Sequence, residues 1–223
     1  MSTPELVICD VNETLIDFSG LGPSFEVAGL TPSSVHWWFA TVLRDGFAVN
    51  LTGGAVGFPD LGRRALREVA HLSGVNVSDE TIESVISSMA HLGVHADVVP
   101  ALRTLLGASI PVVALTNGSA ETARAVLEAA GVPVEEMDVI GAVDVGGWKP
   151  RPDPYRRVVH DLGVNPRRTV MVAAHPWDLH GAERTGLMGA YVDRTGAGFP
   201  SYMDPPTAVA RDLVELVDII VEL

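Results

Sequence analysis

The chain after residue 98 alternates between short apolar runs and amphipathic segments, and this alternation constrains the fold more than any other feature. The apolar runs predict strands at about 111–116, 138–143, 168–174 and 189–193. The amphipathic segments predict helices near 99–107, 119–130, 152–162 and 178–186. Strands that alternate with helices form parallel sheets with right-handed crossovers. The alternation therefore predicts an α/β fold with a doubly wound, mainly parallel sheet, and the apolar run at about 5–10 adds a first strand.

The stretch between that first strand and residue 98 predicts helices only. Apolar residues recur at helical spacing over 32–49, 60–72 and 79–92. Thr31 is a candidate N-cap for the first of these helices, with Pro32 in the first helical position, and Ser78 is a candidate N-cap for the third. We therefore expect a core from residues 1–14 and 98–223 and a helical cap domain from residues 15–97. A last amphipathic helix is expected at 207–222, after a surface loop at 195–206.

Polar side chains follow the apolar runs at four places along the chain. These are Asp10, the pair Thr116 and Asn117, Lys149, and the segment from His175 to Asp178. In open α/β sheets, ligands bind outside the carboxyl ends of the strands, so these side chains are expected to meet in one crevice. Asp10 would be a nucleophilic carboxylate there, whereas a strand-ending Asp that caps a turn is the alternative.

The order and spacing of these four motifs resemble those of the haloacid dehalogenase superfamily over essentially the whole chain, and most closely the type II 2-haloacid dehalogenases. The resemblance implies a Rossmann-like core with an inserted helical cap and an active site in the crevice between them. It also implies that Asp10 attacks C2 of a haloacetate or an (S)-2-haloalkanoate, expels halide with inversion and forms an aspartyl ester. Water would then open the ester and release the 2-hydroxyacid.

Two departures from the superfamily's phosphatases point to a dehalogenase without a metal or other cofactor. Phosphatases carry a second Asp two residues after the nucleophile as general acid, but this chain has Asn12, which has no acidic proton. A halide leaves without protonation. Phosphatases also hold magnesium with acidic residues where this chain has Ala173 and Ala174, and Asp10 with Asp178 alone is a poor magnesium cage.

The resemblance also assigns roles to five other polar residues. Lys149 would keep the nucleophile ionised and stabilise the oxyanion of ester hydrolysis. Asp178 would fix Lys149 and help to position or activate the hydrolytic water. Thr14 and Thr116 would each hydrogen-bond the nucleophile region, and Asn117 would donate to the departing halide or to the substrate carboxylate.

His175 stands where the better-known dehalogenases have an amide, and Ala173 stands where they have a serine. Because Ala173 cannot hydrogen-bond, we expect His175 to orient the hydrolytic water or act as its base, since histidine titrates in the useful range. A structural, hydrogen-bonded histidine is the alternative. Trp177 would wall the pocket, and Asn12 is expected among the substrate-binding residues.

Arg44 is the candidate clamp for the substrate carboxylate and the halide, because a guanidinium suits both anions. The resemblance draws such an arginine from the early part of the cap. Arg63 or Arg64 could compete for that role. The alternative for Arg44 is a helix-surface arginine paired with Asp45 or Glu68.

Composition restricts the partners and the compartment. The net charge of −13 at pH 7 disfavours nucleic acid and anionic membranes, which need a basic footprint. The single cysteine, Cys9, cannot form an internal disulfide and is expected as a small core residue in a cytoplasmic protein. The expected partners are a small anionic haloacid and water, and a homodimer is an open alternative to a monomer.

Three other functions stay open at this level. The first is a phosphatase on the same fold, against which Asn12 and the missing acidic residues argue. The second is hydrolysis of a strained cyclic acid that an Asp nucleophile could open. The third is a non-catalytic protein that binds small acids, although the presence of Asp10, Lys149 and Asp178 together favours an enzyme.

Overall fold

The computed structural model describes residues 3–223 and divides into two compact units. The core unit consists of the chain up to Ile16 together with Val94–Leu223, and the helical unit is Asp17–Gly93.

The core unit is built on a six-stranded sheet in which every neighbouring pair of strands is parallel. The strands are β1 (Leu6–Asp10), β2 (Val112–Thr116), β3 (Asp138–Gly141), β4 (Thr169–Ala173), β5 (Met188–Val192) and β6 (Ala208–Ala210). Their spatial order is β3-β2-β1-β4-β5-β6, so the order reverses at β1 as in a doubly wound sheet. The predicted fold class is confirmed. All residues of β1, β2 and β4 are buried, which is why these strands are continuous apolar runs in the sequence.

Nine α-helices complete the part of the chain that the structure describes. The helical unit contains α1 (Gly22–Val27), α2 (Ser34–Leu51), α3 (Phe58–Leu72) and α4 (Asp79–Ser88). The core unit contains α5 (Val98–Gly107), α6 (Ala120–Ala129), α7 (Pro152–Leu162), α8 (Pro176–Glu183) and α9 (Leu213–Val221). Apolar residues of α7 and α8 pack on the sheet residues Ile8, Leu115 and Met171, so the helices that follow Lys149 and His175 share one buried cluster.

The end of the chain differs from the prediction, because residues 207–222 do not form one helix. They contain the short strand β6 and, after a break, α9. The N–H of Thr207 donates to the carbonyl of Gly189 and that of Asp193 donates to Ala210, so this segment extends the sheet. A three-residue strand is too short to show a periodicity in the sequence. The helix begins only after Asp212, whose side chain caps it by accepting the N–H of Glu215.

Helix ends show three further differences. Helix α2 begins at Ser34, so Thr31 is not its N-cap; instead its carbonyl accepts the N–H of Ser34 in a preceding turn. Ser78 does cap α4, as predicted, but α4 ends at Ser88 and a 3-10 turn follows. Helix α8 begins two residues earlier than predicted, because Pro176 suits the first helical turn.

The helical unit has an aromatic core around Trp38. The indole is fully buried, donates to the carbonyl of Gly62 at 2.9 Å and contacts the rings of Phe18, Phe25 and Phe58. Trp37, the preceding residue on the same helix, is 43% exposed. None of the described helices is long and apolar enough to span a membrane.

Gly181 lets α8 approach the backbone next to Lys149. A Cβ on Gly181 would lie 2.6 Å from Pro150 Cβ and 2.7 Å from the Pro150 carbonyl oxygen, which is too close. We expect Gly181→Ala to lower the free energy of unfolding by about 1–3 kcal/mol, the usual cost of overpacking, as measured by urea denaturation.

Gly107→Ala is the matched control in another helix. A Cβ there meets no atom within 4 Å, so this substitution should leave stability unchanged or raise it by about 0.5–1 kcal/mol. Equal stability of the two variants would contradict the close packing of α8 on Pro150.

Candidate active site

The carboxyl ends of β1, β2 and β4 meet at one edge of the sheet, and polar side chains are buried there. They come from β1 and the turn after it, from the end of β2, from the loop before α7 and from the first turn of α8: Asp10, Thr14, Thr116, Asn117, Lys149 and Asp178. The structure therefore brings together six of the residues that the sequence singles out.

Lys149 is the centre of this group. Its ammonium is completely buried and donates to Asp10 Oδ1 at 2.8 Å and to Asp178 Oδ2 at 2.6 Å. The hydroxyl of Tyr155, from α7, donates to the other oxygen of Asp178, Oδ1. Both oxygens of Asp178 are thus engaged, one by Lys149 and one by Tyr155, so the carboxylate is well placed to hold Lys149.

The charges of this group shift each other's pKa values. Burial alone would raise the pKa of Asp10, but the Lys149 ammonium and His175 lower it well below its usual range. Burial alone would lower the pKa of Lys149, but Asp10 and Asp178 raise it. Burial raises the pKa of Asp178; the Lys149 charge opposes that shift and the Asp10 charge adds to it. Asp10 is therefore ionised at neutral pH beside a permanently charged lysine.

A tight turn after β1 brings Thr14 back to Asp10. The N–H groups of Leu15 and Ile16 both donate to the carbonyl of Val11 at 2.9 Å, which closes the turn. The Thr14 hydroxyl donates to Asp10 Oδ2 at 2.6 Å and accepts the N–H of Ala174 at 2.9 Å. Because the Thr14 oxygen accepts the N–H of Ala174, the Thr14 hydroxyl proton points at the Asp10 carboxylate.

His175 contacts two carboxylates with its two ring nitrogens. Nδ1 lies 2.9 Å from Asp10 Oδ2 and Nε2 lies 3.3 Å from Glu13 Oε2, while the ring stacks on Trp177. Burial alone would lower the pKa of His175, but the hydrogen bonds to Asp10 and Glu13 raise it to about 9. The imidazole is therefore protonated at neutral pH and donates to both carboxylates.

Asn117 and Thr116 make backbone contacts that the sequence does not predict. The Asn117 side chain accepts the N–H of Lys149 at 2.8 Å and donates to the carbonyl of Lys149 at 3.0 Å, so it holds that backbone from both sides. The Thr116 hydroxyl accepts the N–H of Gly118 at 2.9 Å. A Cβ on Gly118 would lie 3.6 Å from Asn12 Nδ2, so Asn12 stands close to this corner of the site.

Arg44 lies in α2 of the helical unit, and its guanidinium is engaged there. Nε donates to Asp45 at 2.7 Å and both Nη atoms donate to Glu68 at 3.1 Å, with 57% of the side chain exposed. These are the contacts of the paired surface arginine named above as the alternative. The two competitors are also paired, Arg63 with Asp60 and Glu83, and Arg64 with Glu68.

Sequence reasoning missed two residues of the site, Glu13 and Tyr155. Glu13 has a positive φ of 58°, a left-handed conformation that is uncommon for a residue other than glycine and that directs its side chain to His175. The only sequence signal for Glu13 is an acidic residue three positions after Asp10. Tyr155 sits on the apolar face of α7, where its spacing does not distinguish it from a core aromatic.

The donor set of the site does not suit a magnesium ion. The Lys149 ammonium already lies between the two carboxylates, Asp10 and Asp178. Within residues 3–223, no group of three or more His, Cys, Asp or Glu side chains is arranged to hold a metal ion. Burial raises the pKa of the neighbouring Cys9 thiol to about 12, so Cys9 supplies no thiolate and behaves as a core residue.

Known families and proteins resemble the chain over most of its length. The family model of the haloacid dehalogenase-like hydrolases matches residues 4–186. The (S)-2-haloacid dehalogenase H-109 of Pseudomonas putida is 26% identical over 220 residues, which cover 98% of each protein. The L-2-haloacid dehalogenase from Xanthobacter autotrophicus superposes with a TM-score of 0.87 at 22% identity and covers 98% of each chain. A second structure of that enzyme, with chloropropionic acid covalently bound, superposes with a TM-score of 0.85.

We expect Lys149 to contribute to the stability of the fold as well as to the charge of the site. Lys149→Met leaves the buried Asp178 carboxylate without a cation and Asp10 with only His175, which should cost about 3–5 kcal/mol at neutral pH. Without Lys149 the folded-state pKa of Asp178 lies further above its unfolded value, so the variant gains relative stability as the pH falls. Urea denaturation at about pH 8 and about pH 5 should show the deficit shrinking at the lower pH.

Lys149→Met combined with Asp178→Asn is the companion variant, because it removes the stranded charge of Asp178. It should recover part of the lost stability at the higher pH. A deficit that is the same at both pH values in the single variant would mean that lost packing, and not stranded charge, causes the destabilisation.

Proposed function

Because the chain belongs to the haloacid dehalogenase-like hydrolase family, we propose that it hydrolyses small 2-haloacids, such as haloacetates and (S)-2-haloalkanoates, to 2-hydroxyacids. The observation that carries this proposal is the Asp10 carboxylate, which is buried, ionised and surrounded by cationic donors, with Asn12 where a phosphatase needs an acid. The dehalogenases of Pseudomonas putida and Xanthobacter autotrophicus, whose names state the same reaction class, support it.

In the proposed first step, an Asp10 oxygen attacks C2 of the substrate. The new C–O bond forms as the C–halogen bond breaks, the halide leaves with the bonding pair, and C2 inverts. Lys149 and the Thr14 hydroxyl fix the carboxylate, so little reorientation is needed before attack. The covalently bound chloropropionic acid in the Xanthobacter enzyme supports a covalent route of this kind.

In the proposed second step, His175 activates the water that opens the ester. Once Asp10 is esterified, the negative charge that holds a proton on His175 Nδ1 is gone, so the pKa of His175 falls and that proton passes to solvent. The N–H that remains at Nε2 donates a hydrogen bond to Glu13, which leaves the Nδ1 lone pair directed at the ester. Nδ1 then takes a proton from water as the water oxygen attacks the carbonyl carbon of Asp10. The bond from that carbon to the substrate oxygen breaks as the tetrahedral intermediate collapses, and His175 returns the proton to the departing hydroxyacid oxygen.

Lys149 stabilises the oxyanion of this second step, and Asp178 with Tyr155 holds Lys149 in place. Because the oxygens of Asp178 are taken by these two side chains, we assign activation of the water to His175 and not to Asp178. Inversion in the first step and none in the second convert an (S)-2-haloacid into an (R)-2-hydroxyacid.

For the substrate itself we propose contacts from Arg44, Trp177, Asn12, Thr116 and Asn117. Trp177 stacks on His175 and would shield the ester from bulk water. Asn117 has one N–H left beyond its bond to Lys149, which can reach a halide or a carboxylate. Arg44 would bind the substrate carboxylate only by exchanging its contacts with Asp45 and Glu68.

Halide release tests the proposed function directly. The protein should release chloride from chloroacetate and from (S)-2-chloropropionate, should leave the (R)-enantiomer unconverted, and should not hydrolyse a generic phosphomonoester. Dialysis against a chelator should leave the rate unchanged, since Lys149 supplies the cation that magnesium supplies to phosphatases.

Asp10→Asn is the matched control for that assay, because it removes the nucleophile and nearly preserves its shape. Phosphomonoester hydrolysis that a chelator abolishes and magnesium restores would replace the proposal with a phosphatase. Binding of 2-chloropropionate without release of halide would instead favour the non-catalytic alternative.

The role of His175 predicts a trapped intermediate. His175→Ala keeps Asp10, Lys149 and Thr14, so alkylation should proceed, but ester hydrolysis should slow by about 10²–10⁴-fold, the usual contribution of a general base. Mass spectrometry after a single turnover should show the peptide that contains Asp10 carrying the mass of the acid moiety.

His160→Ala is the control, because His160 is an exposed histidine in α7 whose ring contacts Asp161. This variant should turn over normally and show no adduct. Normal turnover of His175→Ala without an adduct would make His175 a structural residue.

A further inference from the structure

A buried arginine outside the reacting group contacts the turn that carries Glu13 and Thr14. Arg194 follows β5 by two residues, and its Nη2 donates to the carbonyl of Thr14 at 2.8 Å. Its Nη1 donates to Asp97 Oδ2, and only 14% of the Arg194 side chain is exposed. The chemistry above uses neither residue.

Asp97 connects this arginine to two helices of the core unit. It is the residue before α5, and its Oδ2 also accepts the N–H of Leu213, the first residue of α9, at 2.6 Å. Burial alone would raise the pKa of Asp97, but the hydrogen bonds from Arg194 and Leu213 lower it, so the pair is ionic. Arg194 is therefore held at one end by Asp97, which joins the start of α5 to the start of α9 in the core unit.

The turn that contains Glu13 and Thr14, which Arg194 contacts through Nη2, needs a supporting contact. Its residue Glu13 has a left-handed backbone, which a side chain disfavours, and the bonds from Leu15 and Ile16 to Val11 leave the carbonyl of Thr14 outside the turn. That carbonyl is the one that Arg194 binds. Through the same two residues the turn presents the Thr14 hydroxyl to Asp10 and the Glu13 carboxylate to His175.

The ion pair is also an inefficient way to stabilise the core. Arg194 Nε and Asp97 Oδ1 are buried and have no hydrogen-bond partner among the described residues. A buried ion pair with unsatisfied atoms contributes little net stability, because the cost of desolvation offsets the attraction. What the pair does provide is a planar, charged donor at a defined position against one carbonyl.

We propose that Arg194, held by Asp97, is a positioning residue that fixes the Glu13–Thr14 turn and thereby sets the geometry of both chemical steps. It orients the Thr14 hydroxyl toward Asp10 for alkylation and the Glu13 carboxylate toward His175 for ester hydrolysis. It touches neither substrate nor reacting atoms. The kinetic part of this inference rests on the proposed function, whereas the structural part does not.

The chain contains a matched control at the opposite end of β1. Arg168 likewise pairs with a carboxylate, Glu5, at 2.7 Å, and likewise donates to a backbone carbonyl, that of Thr3, at 2.8 Å. It lies far from Asp10 along the strand. Arg168→Met therefore removes the same kinds of bond, an ion pair and a hydrogen bond to a carbonyl, at a position away from Asp10.

The experiment compares Arg194→Met, Arg194→Lys and Arg168→Met with the wild type in thermal unfolding, halide release and NMR titration of isotopically labelled histidine. Arg194→Met should lower kcat about tenfold to hundredfold with KM near that of the wild type, the usual effect of a displaced catalytic group. The pKa of His175 should fall, because Glu13 no longer faces it reliably. Arg194→Lys should recover part of both effects, and Arg168→Met should change neither.

The outcomes separate this inference from the proposed function. If the wild type releases no halide, the proposed function fails, and the titration of His175 still tests whether Arg194 places Glu13. If Arg194→Met does not fold, Arg194→Lys decides by the same two measurements. A folded Arg194 variant whose kcat and His175 titration match those of Arg168→Met overturns the inference.

Discussion

The buried ammonium of Lys149 is the interaction on which the rest of the site depends. A charge that is removed from water must be compensated completely, and here two carboxylates compensate it at 2.8 Å and 2.6 Å. Much of the surrounding structure serves this arrangement: Asn117 holds the Lys149 backbone, Tyr155 orients Asp178, and Gly181 allows α8 to pack against Pro150. Because the cation is covalently part of the chain, Asp10 stays ionised without any ion taken from solution.

His175 changes the charge balance of this site. Where an amide would leave Asp10 with one cationic partner, the imidazolium gives it two, and Glu13 balances the additional charge. The two carboxylates act on the ring in different ways. Asp10 holds a proton on Nδ1 only while it is itself a free carboxylate, whereas Glu13 acts throughout. In the proposed mechanism the same ring therefore supports the nucleophile in one step and serves as a base in the next.

The sequence predicts the fold well where apolar runs and helical periods repeat, and it predicts which polar side chains meet where a motif follows a strand. Strands β1, β2 and β4 are continuous apolar runs, and Asp10, Lys149 and Asp178 follow from their order. The sequence fails where a contact depends on tertiary geometry alone. Glu13 reaches His175 through an unusual backbone angle, Tyr155 occupies an ordinary core position, and β6 is too short to produce a period. Arg44 shows a different failure of sequence reasoning. An arginine suits an anionic ligand, but the Arg44 guanidinium is already paired with Asp45 and Glu68.

The central place of β1 in the sheet also has a consequence for how the molecule is made. Val7 pairs with Val112 on one side and with Val170 on the other. The first of the six strands can therefore pair with β2 only when half of the 223 residues exist, and with β4 only later still. Pairings between such distant segments form slowly, because a long loop must close before any contact forms. Asp10 is therefore the first of the site residues to leave the ribosome, but its surroundings are completed only when Asp178 and α8 are in place. A truncated or partly folded chain contains Asp10 without the lysine, histidine and helix that surround it, so the proposed reactivity of this carboxylate would report that the core unit has formed.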